Sequence, residues 1–143
     1  MHKLKNPWIL TGILLLVGGI AALSWQYSSK PNQTGASDLV IPKLSPLAAQ
    51  GQMVFNANCA RCHGVNAMGT NAGPPLIHDI YNPGHHGDAA FYRAVKQGSP
   101  QHHWSFGSMP PQPQVNDDEI AAIIRFIRET QEANGIVYRK HQM

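Results

Sequence analysis

After residue 44, apolar side chains recur at helical spacing in three places; before it they run almost unbroken in one. The clearest stripe is in IAAIIRFIRETQEAN, where Ile120, Ile123, Ile124 and Ile127 fall at i, i+3, i+4 and i+7. Asn116, with Glu119 three residues on, forms a capping-box start, and Asn134-Gly135 forms a stop. An earlier helix begins with Ser45 as N-cap and Pro46 in the first helical position, carries Leu47, Gly51 and Phe55 at successive fours, and delivers Cys59 at its end. A shorter one, AAFYRAVKQ, is capped by Asp88, stops at Gly98 and puts Phe91 and Val95 on one face. Residues 64–87 are rich in Gly, Pro and Asn and have no period, which predicts loop with short helical turns. No strand alternation longer than a few residues and no internal repeat is present, so the expected fold class is all-α. That much ordered loop in a compact domain needs something inside to hold it, and a large planar cofactor would do so.

The unbroken run extends from Trp8 to Trp25, 18 uncharged and mostly apolar residues preceded by Lys3 and Lys5. Such a run is a signal peptide or a membrane anchor, and either sends the rest of the chain out of the cytoplasm. Trp8, Trp25 and Tyr27 bracket it as interface aromatics do, whereas Ala22-Leu23-Ser24 would serve as a cleavage site. The expected organisation is a single-pass anchor or signal helix at 1–27, a linker at 28–44 (SSKPNQTGASDLVIPKL) and a helical domain at 45–143. A retained anchor leaves that domain on the outer, periplasmic side of a bacterial inner membrane; cleavage would release it as a soluble periplasmic protein.

A chain of 143 residues supports one domain of roughly 100 residues once the terminal segments are set aside, and such a domain gains from a bound apolar group in its core. Its net charge of +3 includes Lys3 and Lys5, leaving nine Lys and Arg against eight Asp and Glu elsewhere. Those basic residues are scattered, so no nucleic-acid footprint exists and no one-sided patch is available to steer a partner.

Both cysteines of the chain lie in the stretch NCARCHG, as Cys59 and Cys62, with His63 directly after. Cys-x-x-Cys-His is the attachment signature of c-type haem. Two thiols on one helical turn reach the two vinyl groups of a protoporphyrin, and the next residue projects an imidazole onto the iron. Three other readings remain open at this point. A redox-active dithiol has no need of His63, a zinc site wants two more Cys or His at ligand spacing, and a plain disulfide is possible between such neighbours.

Taken with Gly51 and Phe55 ahead of CARCHG, AGPPL at 72–76, GSMPP at 107–111 and DDEIAAIIRFIRE at 117–129, the sequence resembles the class I, single-haem c-type cytochromes of exported bacterial proteins. The likeness covers nearly all of residues 47 to 130. It implies one covalent haem c with its iron, wrapped by a small helical domain. It also implies that Gly51 lets the first and last helices cross closely against Phe126, that the Pro74 carbonyl accepts a hydrogen bond from the ring N–H of His63, and that Leu76 lies against the porphyrin. The first axial ligand implied is His63.

For the second, the methionines are Met1, Met53, Met68, Met109 and Met143. Met68 is five residues past His63 and hardly reaches the opposite face; Met109, 46 residues past it and followed by Pro110 and Pro111, meets both the reach and the family pattern. The rivals are His78, His85, His86, His102 and His103. The two His-His pairs could make a bis-His haem or a copper site, or be loop residues near the haem propionates. Trp104 is a packing residue or an indole donor to a propionate.

An iron held by His63 and Met109 has no vacant position, so no small-molecule substrate is expected, no catalytic residue is assigned, and the activity is one-electron transfer. The expected role is a non-enzymatic carrier between a respiratory donor and a terminal oxidase or reductase, docking by an apolar surround of Ala60, Val65, Met68 and Pro110. A fixed haem subunit of a larger membrane oxidoreductase, or a ligand-binding or peroxidatic haem protein, are the alternatives. The stretch from Ile77 to His103 departs from the family in its many histidines and few lysines.

Overall fold

A computed structural model describes residues 39–140, all of which belong to one compact unit, Asp38–Met143. The expected anchor at 1–27 and the linker up to residue 38 lie outside the described residues. Among the described residues no helix is long and apolar enough to cross a membrane.

The architecture is helical. Helix α1 spans Pro46–Asn58, α2 is the single turn Ala60–His63, α3 spans Asp88–Gln97 and α4 spans Asp117–Ala133. Short 3-10 turns lie at Val65–Ala67 and Asp79–Tyr81. Among the described residues there is no strand, only isolated antiparallel bridges at Thr70/Gly73 and Ser99/Met109.

Local chemistry sets the helix ends. Ser45 caps α1 by accepting from the Ala48 amide, with Pro46 in the first turn. Both halves of the capping box at Asn116 and Glu119 form at 2.9 Å. Helix α4 stops at Asn134, and Gly135 follows at φ +74°, a left-handed conformation that glycine adopts without a Cβ penalty. The expected cap of α3 is corrected by one residue. Gly87, with extended backbone, is the N-cap, and Asp88 sits in the first turn, where its Oδ1 accepts from Arg128 Nε at 2.8 Å. A carboxylate in the first turn still meets the positive end of the helix dipole.

Helices α1 and α4 cross and pack on each other within the described unit. Gly51 makes the crossing possible, since a Cβ there would stand 1.9 Å from the Ala122 carbonyl oxygen. The close approach is therefore to the backbone of Ala122, not to Phe126 as the resemblance implied. Phe126 lies one turn further along and meets Phe55 with ring centroids 5.7 Å apart. Both phenylalanines are fully buried with Ile120 and Ile127, and each such side chain contributes about 1.5–3 kcal/mol by leaving water. The end of the segment read as a linker is tied down: Val40 exchanges backbone hydrogen bonds with the Asn134 side chain at 3.0 and 2.7 Å, and Leu44 packs on the core.

Candidate functional site

Cys59 terminates α1 and its carbonyl then accepts from the amides of both Cys62 (3.1 Å) and His63 (2.9 Å). That single turn brings two free thiols and an imidazole onto one short arc. The following loop is locked against it. Gly64, at φ +75°, passes so close to Gly69 that no side chain fits between them, and the Gly69 amide donates to the His63 carbonyl at 2.6 Å. Asn66 and Ala67 also take left-handed backbone, at φ 56° and 65°, which costs non-glycine residues of order 1 kcal/mol or more each. Asn66 is held there by Gln52 and Asn56 of α1, whose side chains bond its side chain and amide at 2.9 to 3.3 Å.

His63 Nδ1–H donates to the Pro74 carbonyl at 2.9 Å. The AGPPL segment reaches that position because Gly73 packs on Cys62, where a Cβ would meet the Cys62 carbonyl at 2.9 Å. With Nδ1 carrying the proton, the His63 Nε2 lone pair is left for a metal, and the bond raises its donor strength. Burial pushes the His63 pKa below its ordinary value, with the Pro74 bond opposing, which favours the neutral ring. Burial, and then the neighbouring Cys62, push the Cys59 thiol up to about 11. Among the described residues no third cysteine is present to complete a zinc site.

Cys59 and His63 open on a cavity of about 550 Å³ whose walls also include Phe55, Leu76, Met109 and Ile123 but not Cys62. Met109 arrives on a loop docked to the end of α3. Its amide and carbonyl pair with Ser99 at 2.8 and 3.0 Å, and Gln112 N–H donates to the Val95 carbonyl at 2.7 Å. Gly98, at φ +78°, allows the approach, since a Cβ there would lie 2.5 Å from the Met109 carbonyl. Met53, by contrast, is solvent-exposed on α1. His78 is occupied as a cap, its Nδ1 accepting from the Ile80 amide at 3.2 Å, and its ring stands edge-on to Trp104 at 5.2 Å. Trp104 also lines the cavity, and its indole N–H is buried beside the Tyr81 hydroxyl without a well-formed hydrogen bond. His85, His86, His102 and His103 come together on the same cavity from two segments that the sequence separates.

Two residues that hold the site carry no signature in the sequence. Gln131, fully buried on α4, donates from Nε2 to the carbonyls of Leu76 (2.9 Å) and Tyr81 (3.0 Å). Arg128 donates to Gln131 Oε1 (2.7 Å), the Tyr81 carbonyl (2.9 Å), Asp88 and the His86 carbonyl, with its guanidinium 4.8 Å from the centre of the Phe91 ring. Together they pin residues 76–88 to α4.

A large, flat, mostly apolar group with acidic edges fits these walls. The aromatic and aliphatic sides suit its faces, one imidazole and one thioether suit its metal, and the orphaned Trp104 N–H suits a carboxylate. The family model described as Cytochrome c matches residues 48–131, more than half of the chain. No curated protein and no solved structure matches.

Proposed function

The chain belongs to the cytochrome c family, whose members bind covalent haem c with its iron and transfer electrons, and from that premise we propose that His63 and Met109 are its axial ligands and that it passes single electrons between a respiratory donor and a terminal oxidase or reductase. Cys59 and Cys62 are the attachment thiols. The observation that carries the reading is that Cys59, the Pro74-oriented His63 and the docked Met109 all face one cavity. When bound, the haem iron supplies a one-electron couple between ferrous and ferric states.

The chain's own residues set the conditions for that couple. His63, fixed in one tautomer by Pro74, offers Nε2 alone. Met109 offers a thioether, which favours the reduced state, and Phe55, Leu76 and Ile123 exclude water, which disfavours the extra positive charge of the oxidised one. The buried Trp104 indole N–H would donate to a carboxylate at the group's edge. Docking uses the apolar surround of Ala60, Val65, Met68 and Pro110, of which Val65 is 63% exposed and Pro110 is exposed. Brief redox encounters need only small, weakly held areas of this kind. The N-terminal run at 1–27 holds the domain at the outer face of the cytoplasmic membrane.

Reductive titration of the purified protein tests the proposal. A reversible couple of one electron per chain supports it; no reversible couple, or carbon monoxide binding to the reduced protein at neutral pH, counts against a stably held Met109.

A further inference from the structure

The two histidine pairs have an arrangement that the haem site does not require. His85 and His86 lie in the turn before α3, and His102 and His103 lie in the segment leading to Met109. The rings meet across the gap, with His85 Nε2 3.0 Å from His103 Nε2 and His86 Nε2 3.3 Å from His102 Nε2. One nitrogen each from His85, His86 and His103 falls within 4.8 Å of the other two.

Two of the rings are oriented from behind. His86 Nδ1 donates to the Ile80 carbonyl at 2.9 Å, and His102 Nδ1 donates to the Pro100 carbonyl at 2.8 Å. A carbonyl only accepts, so both protons sit on Nδ1 and, in the neutral rings, both Nε2 atoms present lone pairs to each other. Two facing lone pairs repel unless a cation lies between them. An N–H donated backward to a carbonyl is the usual support of a metal-ligating histidine. Two nitrogens bound to one tetrahedral ion at about 2.0–2.1 Å stand about 3.3–3.4 Å apart, close to the separations seen here.

We propose that His85, His86 and His103 each give one ring nitrogen to a second metal site, selective for a borderline divalent transition ion such as zinc or copper, and that His102, whose Nε2 lies 3.3 Å from that of His86, completes it as a fourth ligand. An all-imidazole set suits these ions and is poor for calcium or magnesium, which take oxygen. The ion clips the turn at 83–87 to the chain at 100–107, and so fastens the strip that carries Met109. The site does not depend on the axial ligation proposed above, because none of its ligands is shared with it.

Zinc alone, redox-inert and colourless, is the probe, added to the full-length haem-loaded protein. Equilibrium dialysis with zinc quantification is expected to find one ion per chain, and the zinc X-ray absorption fine structure is expected to show a shell of nitrogen only. His102 and His103 are exposed, so His102→Gln/His103→Gln removes two ligands without opening the core. This variant is expected to keep the parent's visible spectrum while its zinc affinity falls at least hundredfold. Absence of stoichiometric zinc, sulfur in the zinc shell, or undiminished affinity in a variant of unchanged spectrum would each overturn the proposal. Failure of the reductive titration would leave these zinc results standing, and the converse also holds.

Discussion

At His63 one hydrogen bond decides what the imidazole can do, and the residues that fix such bonds were unequally visible in the sequence. Pro74 could be named in advance because the Gly-Pro-x-Leu segment resembles a family pattern, and its carbonyl lies 2.9 Å from His63 Nδ1. Gln131 could not, because an apolar stripe says which face of a helix is buried but not which loop carbonyls will arrive there. Replacing Gln131 by Met keeps the volume and orphans the Leu76 carbonyl, while the Tyr81 carbonyl keeps its bond from Arg128, for an expected loss of about 1–3 kcal/mol in denaturant unfolding of the haem-loaded protein. Glu129 supplies a pH dependence. Burial alone would raise its pKa, but the Ser45 amide (2.9 Å), the Ser45 hydroxyl (2.7 Å) and Arg125 (2.6 Å) together hold it below the ordinary glutamate value. A depressed carboxylate stabilises the fold above its unfolded pKa of about 4.3, and that stability is lost as pH falls through the lower folded value. Unfolding midpoints measured from pH 6 down to pH 3 should therefore fall less steeply for Glu129→Gln than for the parent. Parallel curves would remove Glu129 from the acid response.

Helices α1 and α4 were legible as elements because caps and spacing are local, and their crossing was half legible. Gly51 identified the point of closest approach, yet its neighbour is Ala122 and not Phe126, since a side-chain stripe does not specify the register between two helices. Gly51→Ala would drive a methyl into the Ala122 carbonyl, and an unfolding loss of at least ~2 kcal/mol is expected, with both helices retained in far-ultraviolet dichroism. Asn116→Ala, which removes only the cap, should cost about 1 kcal/mol. The loop from 64 to 87 was read as lacking period, which was correct but incomplete. Its shape comes from left-handed Asn66 and Ala67 and from long-range bonds to Gln52, Asn56, Arg128 and Gln131, none of which leaves a periodic trace.

Across the molecule, α1 delivers the attachment residues, α3 docks the loop bearing Met109, and α4 backs both the core and the loop at 76–88. All of these converge on one cavity of about 550 Å³. The convergence was foreseeable from Cys59, His63 and Met109 together, whereas the meeting of the four histidines was not, because the two pairs lie 17 residues apart along the chain. Met109→Ala should lower the reduction potential and let carbon monoxide bind the ferrous protein, since it opens one axial position. The most direct test of His63 and Met109 as the ligand pair is the optical spectrum of the oxidised protein at the red end of the visible range. Thioether ligation predicts a weak sulfur-to-iron band there that vanishes in Met109→Ala. A parent protein without that band, or one whose haem dissociates into acidified organic solvent, would contradict it.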